Sequence, residues 1–238
     1  GHLAGLAVTT GVQNTLMGSR AGDALTDADF NVAIGFEALT TDTLGSKSVA
    51  LGTFALKDQS SATATDKFNV AVGHAAGENV TTGIKNTIMG GLAGDAMTIG
   101  FNNVAIGYDA LGANTASGAN VAIGYEAMLN YNDTNELSRF NVAVGTQAGK
   151  ALTTGIQNTL IGGIAGDALT DADYNVAVGV TALSGDTLGS KSTAIGYSTL
   201  VNQNFTTATD TFNTAVGYEA GASVTTGIEN TLLGGLAG

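Results

Sequence analysis

The chain has 238 residues, 35 of them glycine and none proline, cysteine or tryptophan, and a formal net charge of −12 from only 12% charged residues. Eight Lys plus Arg leave no basic stripe to follow a phosphate backbone, which argues against nucleic acid as a partner. Without cysteine there is no disulfide framework and no thiolate metal site, and no stretch approaches the roughly 18 consecutive apolar residues of a membrane span.

Apolar residues make up 44% of the chain and recur regularly, so low complexity here does not mean disorder. The recurring element is a five-residue phrase: Asn or Ser, Val or Thr, a small or aliphatic residue, an aliphatic residue, then Gly. It begins at Asn14, Asn31, Ser48, Asn69, Asn86, Asn103, Asn120, Asn141, Asn158, Asn175, Ser192, Asn213 and Asn230. The steps are 17 or 21 residues long, and three short steps followed by one long step make a unit of 72. Residues 1–238 therefore read as one continuous repeat array, a solenoid. Gly22 to Asp29 recurs letter for letter as Gly166 to Asp173, which points to growth by duplication of eight-repeat blocks. The opening Gly1-His2-Leu3-Ala4-Gly5 aligns with Gly73-His74-Ala75-Ala76-Gly77, and neither end carries an atypical capping repeat, so the expectation is a segment of a longer fibre.

Within Asn31-Val32-Ala33-Ile34-Gly35, Val32 and Ile34 fall two apart and share one face of a strand, while Ala33 points to the other. No helical period of three or four is present, so the fold class is all-β, a parallel β-roll or β-solenoid of about thirteen short rungs. After each Gly the pattern predicts a second short strand, such as Tyr125 to Met128. A 17-residue coil has a perimeter of only about 55 Å, and thirteen coils stack to roughly 60 Å. Such a thin tube is filled by two or three inward side chains, and the alanine face is expected to pack on other copies. A homotrimer, or a polymer of trimers, would then place Ala33, Ala105, Ala122, Ala143 and Ala177 near a shared axis. Asn at one place in most coils is expected to form an amide ladder along the stack.

The long steps put their extra residues into polar loops, Lys57 to Lys67, Leu129 to Arg139 and Val201 to Thr211, expected to bulge at every fourth rung. Catalytic candidates are few. His2 and His74 share a repeat position held elsewhere by Thr146 and Tyr218, and are read as solvent facing. Asp23, Asp27 and Asp29 recur as Asp167, Asp171 and Asp173, carboxylates suited to a hard cation. In the block between, Asp95 is followed by Met97, Ile99 and Gly100, so a solvated acidic turn is the preferred reading. The segment Asn132 to Glu136 is a polar loop without the spacing of a calcium hand. The pairs Thr9-Thr10, Thr81-Thr82, Thr153-Thr154 and Thr225-Thr226 align only at every fourth rung, too sparsely to order ice. Asn79, Asn132 and Asn204 begin glycosylation sequons. No catalytic, cofactor or metal residue is assigned, and no cofactor is expected.

Asn31-Val32-Ala33-Ile34-Gly35, Ser48-Val49-Ala50-Leu51-Gly52 and Ser192-Thr193-Ala194-Ile195-Gly196-Tyr197 resemble the head repeats of trimeric autotransporter adhesins, and similar phrases occur in bacteriophage tail fibres. The resemblance covers essentially the whole chain. It implies a left-handed parallel β-roll in a trimeric, non-enzymatic rod that attaches to host-surface glycans or proteins. The location it implies is extracellular, on a bacterial surface or a phage virion, with no membrane insertion in this segment. The alternative from the same residues is a purely structural extracellular filament.

Overall fold

Only three residues of each phrase are extended. In the computed structural model, which describes residues 1–238, the strands in chain order are β1 (Thr15–Met17), β2 (Val32–Ile34), β3 (Gly45–Ser46), β4 (Val49–Leu51), β5 (Thr65–Asp66), β6 (Val70–Val72), β7 (Thr87–Met89) and β8 (Val104–Ile106). They continue with β9 (Val121–Ile123), β10 (Val142–Val144), β11 (Thr159–Ile161), β12 (Val176–Val178), β13 (Gly189–Ser190), β14 (Thr193–Ile195), β15 (Thr209–Asp210), β16 (Thr214–Val216) and β17 (Thr231–Leu233). The protein is an all-β parallel solenoid of about thirteen turns, without helices.

Two compact units divide the chain: Gly1–Ala119 with Thr134–Ser138, and Asn120–Asp133 with Arg139–Gly238. In the first, β1, β2, β4, β6, β7 and β8 pair in parallel in that order. In the second, the order is β9, β10, β11, β12, β14, β16 and β17. Register is strict: Val32 faces Val49, Ala33 faces Ala50 and Ile34 faces Leu51. The loop strands add the two small pairs β3 with β5 and β13 with β15.

The phrase glycine is required by close approach. Gly35 has φ 143°, and a Cβ there would lie 2.3 Å from the carbonyl oxygen of Gly52 in the next rung. The second strand expected after it does not form. Residues 125–128 are a turn, because Glu126 and Met128 take left-handed φ of 52° and 49°, and such a backbone cannot extend. The residue before each Asn or Ser is also left-handed in all thirteen copies, including Phe30, Lys85 and Phe140. Each coil thus turns mainly at non-glycine residues held against their intrinsic preference.

The inside and outside of the strand are the reverse of the expected arrangement. Ala33, Ala105, Ala122, Ala143 and Ala177 are fully buried within their own chain, whereas Val32 and Ile34 on the other side are partly exposed. The asparagine decides this. Asn31 and Ala33 share a side, and buried Asn31 accepts the Ser48 N–H at 2.9 Å and donates to Gly45 O at 2.9 Å. These bonds exist only inside the stack, so alternation carries Ala33 inward and sends Val32 and Ile34 out.

Core volume then explains the four-rung cycle. Most rungs put Ala at the inward strand position, and Leu16, Ile88, Leu160 and Leu232 replace it once per 72 residues. Glycines make the room: a Cβ on Gly77 would meet Ile88 Cδ1 at 2.8 Å, and one on Gly149 would meet Leu160 Cδ1 at 2.8 Å. Where the strand residue is Ala50 or Ala122, the gap is filled instead by buried Leu56 or Met128. Large and small side chains alternate along the lumen, which keeps a narrow tube close-packed.

Candidate interaction surface

The outer face of the strands is built from four columns: the residue before each phrase, its second and fourth residues, and the residue after its Gly. The two central columns hold only Val, Thr, Ile, Leu and Met, and half-exposed Met17, Met89 and Ile161 lie in them. Phe36, Tyr108, Tyr125, Tyr197 and Tyr218 are exposed in the column after the Gly. The Tyr197 and Tyr218 rings stack at 5.3 Å. Phe30, Phe68, Phe140, Tyr174 and Phe212 are exposed in the column before the phrase. None of the 28 Asp, Glu, Lys and Arg falls in the two central columns or in the column after the Gly. The leading edge does carry charge, at Lys47, Lys85, Lys191 and Glu229. There Lys47 lies over the Phe68 ring at 5.3 Å and pairs with Asp66 at 2.6 Å, and Lys191 repeats both contacts with Phe212 and Asp210.

The turns beyond the Gly carry ion pairs between rungs. Arg20 meets Glu37 at 2.7 Å, Lys57 meets Glu78 at 3.1 Å, and Lys150 meets Glu126 at 2.6 Å. Hydrogen bonds from Lys150, Gln147 and Tyr125 hold Glu126 at a pKa of about 2. Asp167 goes the other way. Its equivalent Asp23 accepts bonds from Arg20 and the Thr40 hydroxyl, but Ile164 and Ser184 stand at those places one double block later. Oδ1 of Asp167 is left buried without a partner, and burial raises its pKa.

The long loops are solvated at their tips and structural at their roots. Buried Gln59 donates to Asp42 at 2.7 Å and accepts from Asn69 at 2.9 Å, and Gln203 does the same with Asp186 and Asn213. These glutamines belong to the coils whose phrase starts with Ser48 or Ser192, where they supply the acceptor that the shorter serine lacks. Lys67 is buried, with Nζ 3.2 Å from Ser60 O, and burial lowers its pKa. Ala62, Thr63 and Ala64, like residues 134–137, face solvent.

The remaining candidates lie apart. His2 and His74 are exposed, and His74 packs edge-on to Phe54 at 6.0 Å. Asp27 accepts from Thr10 at 2.6 Å and Asp29 from the Val12 N–H at 2.7 Å, in the first block. Asp171 and Asp173 repeat these bonds with Thr154 and Ile156. Each carboxylate is thus tied to its own neighbour, and no three His, Asp or Glu side chains are grouped to hold a metal. Asn79, Asn132 and Asn204 are exposed.

Two features were missed in the sequence reading. A threonine column runs through ten of thirteen coils, not only every fourth, as Thr9, Thr26 and Thr43 begin to show. Its hydroxyls bond the next rung, Thr26 Oγ1 to Thr43 O at 3.1 Å and Thr98 Oγ1 to Thr115 O at 3.0 Å, so the column serves stacking. The aromatic columns beside the strands were also overlooked, although their spacing was readable. Comparison with protein families, with curated proteins and with solved structures found no match to this chain.

Proposed function

We propose that this chain is a structural and adhesive segment of an extracellular or virion fibre, a left-handed β-roll that works as a homotrimeric rod and presents its loops for attachment to a surface. Its action is mechanical and multivalent, not catalytic, and its partners are its own copies and host-surface glycans or proteins. The reading includes neither nucleic acid nor insertion into a membrane. The observation that carries it is the commitment of each coil to stacking: asparagine amides, threonine hydroxyls and turn ion pairs all bond from rung to rung. The loop tips, repeated at 72 residues, combine exposure with sequence difference, an arrangement in which weak contacts add as avidity.

The buried loop roots favour a second reading, a filament without a receptor, since Gln59, Lys67 and Gln203 are used for packing. Binding of the chain to candidate host cells separates the two. Retained binding that disappears when residues 134–137 are replaced by Gly and Ser supports an adhesive segment. Absence of binding to bacterial and eukaryotic surfaces supports the filament, and substrate turnover abolished by a single substitution overturns both.

A further inference from the structure

We infer that Tyr197 and Tyr218 form an oxidative cross-linking site, at which hydrogen peroxide acting through a haem peroxidase joins the two rings into dityrosine and ties together the two rungs that the third long loop connects. The inference goes beyond the proposed function and does not depend on which of its two readings holds.

Register brings the two phenols together. Each follows a phrase glycine, Gly196 or Gly217, in rungs that pair directly, with Thr193 facing Thr214 and Ile195 facing Val216. The Glu219 N–H donates to Tyr197 O at 2.9 Å, so the pairing continues past the strands and holds the rings at the same place one rung apart. Their centroids are 5.3 Å apart and their planes 12° from parallel, close to the ~4.8 Å between strands and typical of stacked aromatics. Tyr197 is 49% exposed and Tyr218 56%, so an oxidant reaches both. The same two places hold Thr53 and His74 around the first long loop, and Tyr125 and Thr146 around the middle one. A pair of phenols brackets the third loop alone. The root of that loop also lacks the buried lysine of the first and the ion pair of the second, and has Phe205 and Thr211 instead.

The coupling balances with peroxide as the oxidant. Each phenol gives up one electron and one proton to become a phenoxyl radical, and the two radicals form one C–C bond between carbons ortho to their oxygens. The hydrogens on those carbons then move to the oxygens as protons and restore both phenols. Two electrons and two protons leave in all, and they reduce one hydrogen peroxide to two waters. The Tyr218 hydroxyl donates to the Glu219 carboxylate, a base placed to accept the proton as the electron leaves. Rings held side by side react as parts of one molecule, so coupling within the chain outruns coupling between chains in dilute solution. The chain has no cysteine and so no disulfide to tie rung to rung. A bond between the two rings closes residues 197–218 into a loop, which restricts the unfolded chain and favours the folded one.

The test treats the full chain, in dilute solution, with hydrogen peroxide and a haem peroxidase. Asp210 is the only aspartate between the two tyrosines, so cleavage before aspartate separates residues 186–209, which hold Tyr197, from residues 210–238, which hold Tyr218. In the denaturing-gel band of one chain mass, mass spectrometry should find these two fragments joined and two hydrogens lighter than their sum, in a yield that further dilution leaves unchanged. Tyr197→Phe and Tyr218→Phe should each abolish the joined fragment, and Tyr125→Phe should leave it. Treatment should raise the melting temperature of the unmodified chain and not that of Tyr218→Phe. Absence of the joined fragment, or its presence only in bands of more than one chain, overturns the site. A joined fragment without a rise in melting temperature overturns the tie between the rungs.

Discussion

Arg139 Nη2 lies 2.5 Å from Asp133 Oδ2 at the root of the middle long loop, with both side chains largely buried. The same two places hold Ser61 with Lys67 in the first loop and Phe205 with Thr211 in the third. Three chemical solutions therefore occupy one piece of architecture: a lysine among backbone carbonyls, an ion pair, and a buried phenylalanine with a buried threonine that bonds Ser190 O.

Removing one member of the middle pair should cost more than replacing both. Asp133→Ala strands a buried guanidinium and is expected to destabilise by about 3 kcal/mol. Asp133→Phe with Arg139→Thr copies the third loop and should recover most of that loss. Thermal melts of the single and double variants check this.

Two adjacent glycines should respond oppositely to alanine. Gly162 has φ 138° and its added Cβ would sit 2.3 Å from Gly179 O, while a Cβ on Gly163 meets nothing within 4 Å. Gly162→Ala is expected to cost at least about 3 kcal/mol through clash and strain. Gly163→Ala should stay within about 0.5 kcal/mol. The readout is the melting temperature of each variant under identical conditions.

Asn158 should not tolerate serine, although serine holds its place in two coils. Its Oδ1 accepts the Asn175 N–H at 2.9 Å and its Nδ2 donates to Ala172 O at 2.7 Å. Ser48 and Ser192 have Gln59 and Gln203 eleven residues on, whereas Asn158 has buried Leu169. Asn158→Ser leaves buried groups unpaired and is expected to cost about 1–3 kcal/mol, with amide exchange accelerated at Asn175.

The Glu126 carboxylate should titrate near 2 in a carbon-detected NMR titration, since Lys150, Gln147 and Tyr125 all bond its charged form. Its folded pKa lies below the ordinary glutamate value, so its contribution to stability is present above that ordinary value and is lost as pH falls through about 2. Lys150→Ala should move the midpoint back toward the ordinary range. Asp167 has the opposite sign: its folded pKa is raised by burial, so its ionisation opposes folding above that pKa and the penalty disappears on acidification.

The amino-acid sequence by itself determined the rung count, the parallel pairing, the register and the position of the three long loops. A fixed step of 17 or 21 residues leaves each phrase little choice but to lie against the next, and Ala33 meets Ala50 because both stand at the same place in the repeat. Only the tertiary structure decided which strand face lies inside. Both faces of Val32-Ala33-Ile34 are apolar, so hydrophobicity does not choose between them. The choice belongs to Asn31, whose amide finds its partners, the Ser48 N–H and Gly45 O, only within the stack. That one hydrogen-bonding requirement turns the larger aliphatic side chains outward and makes them a surface.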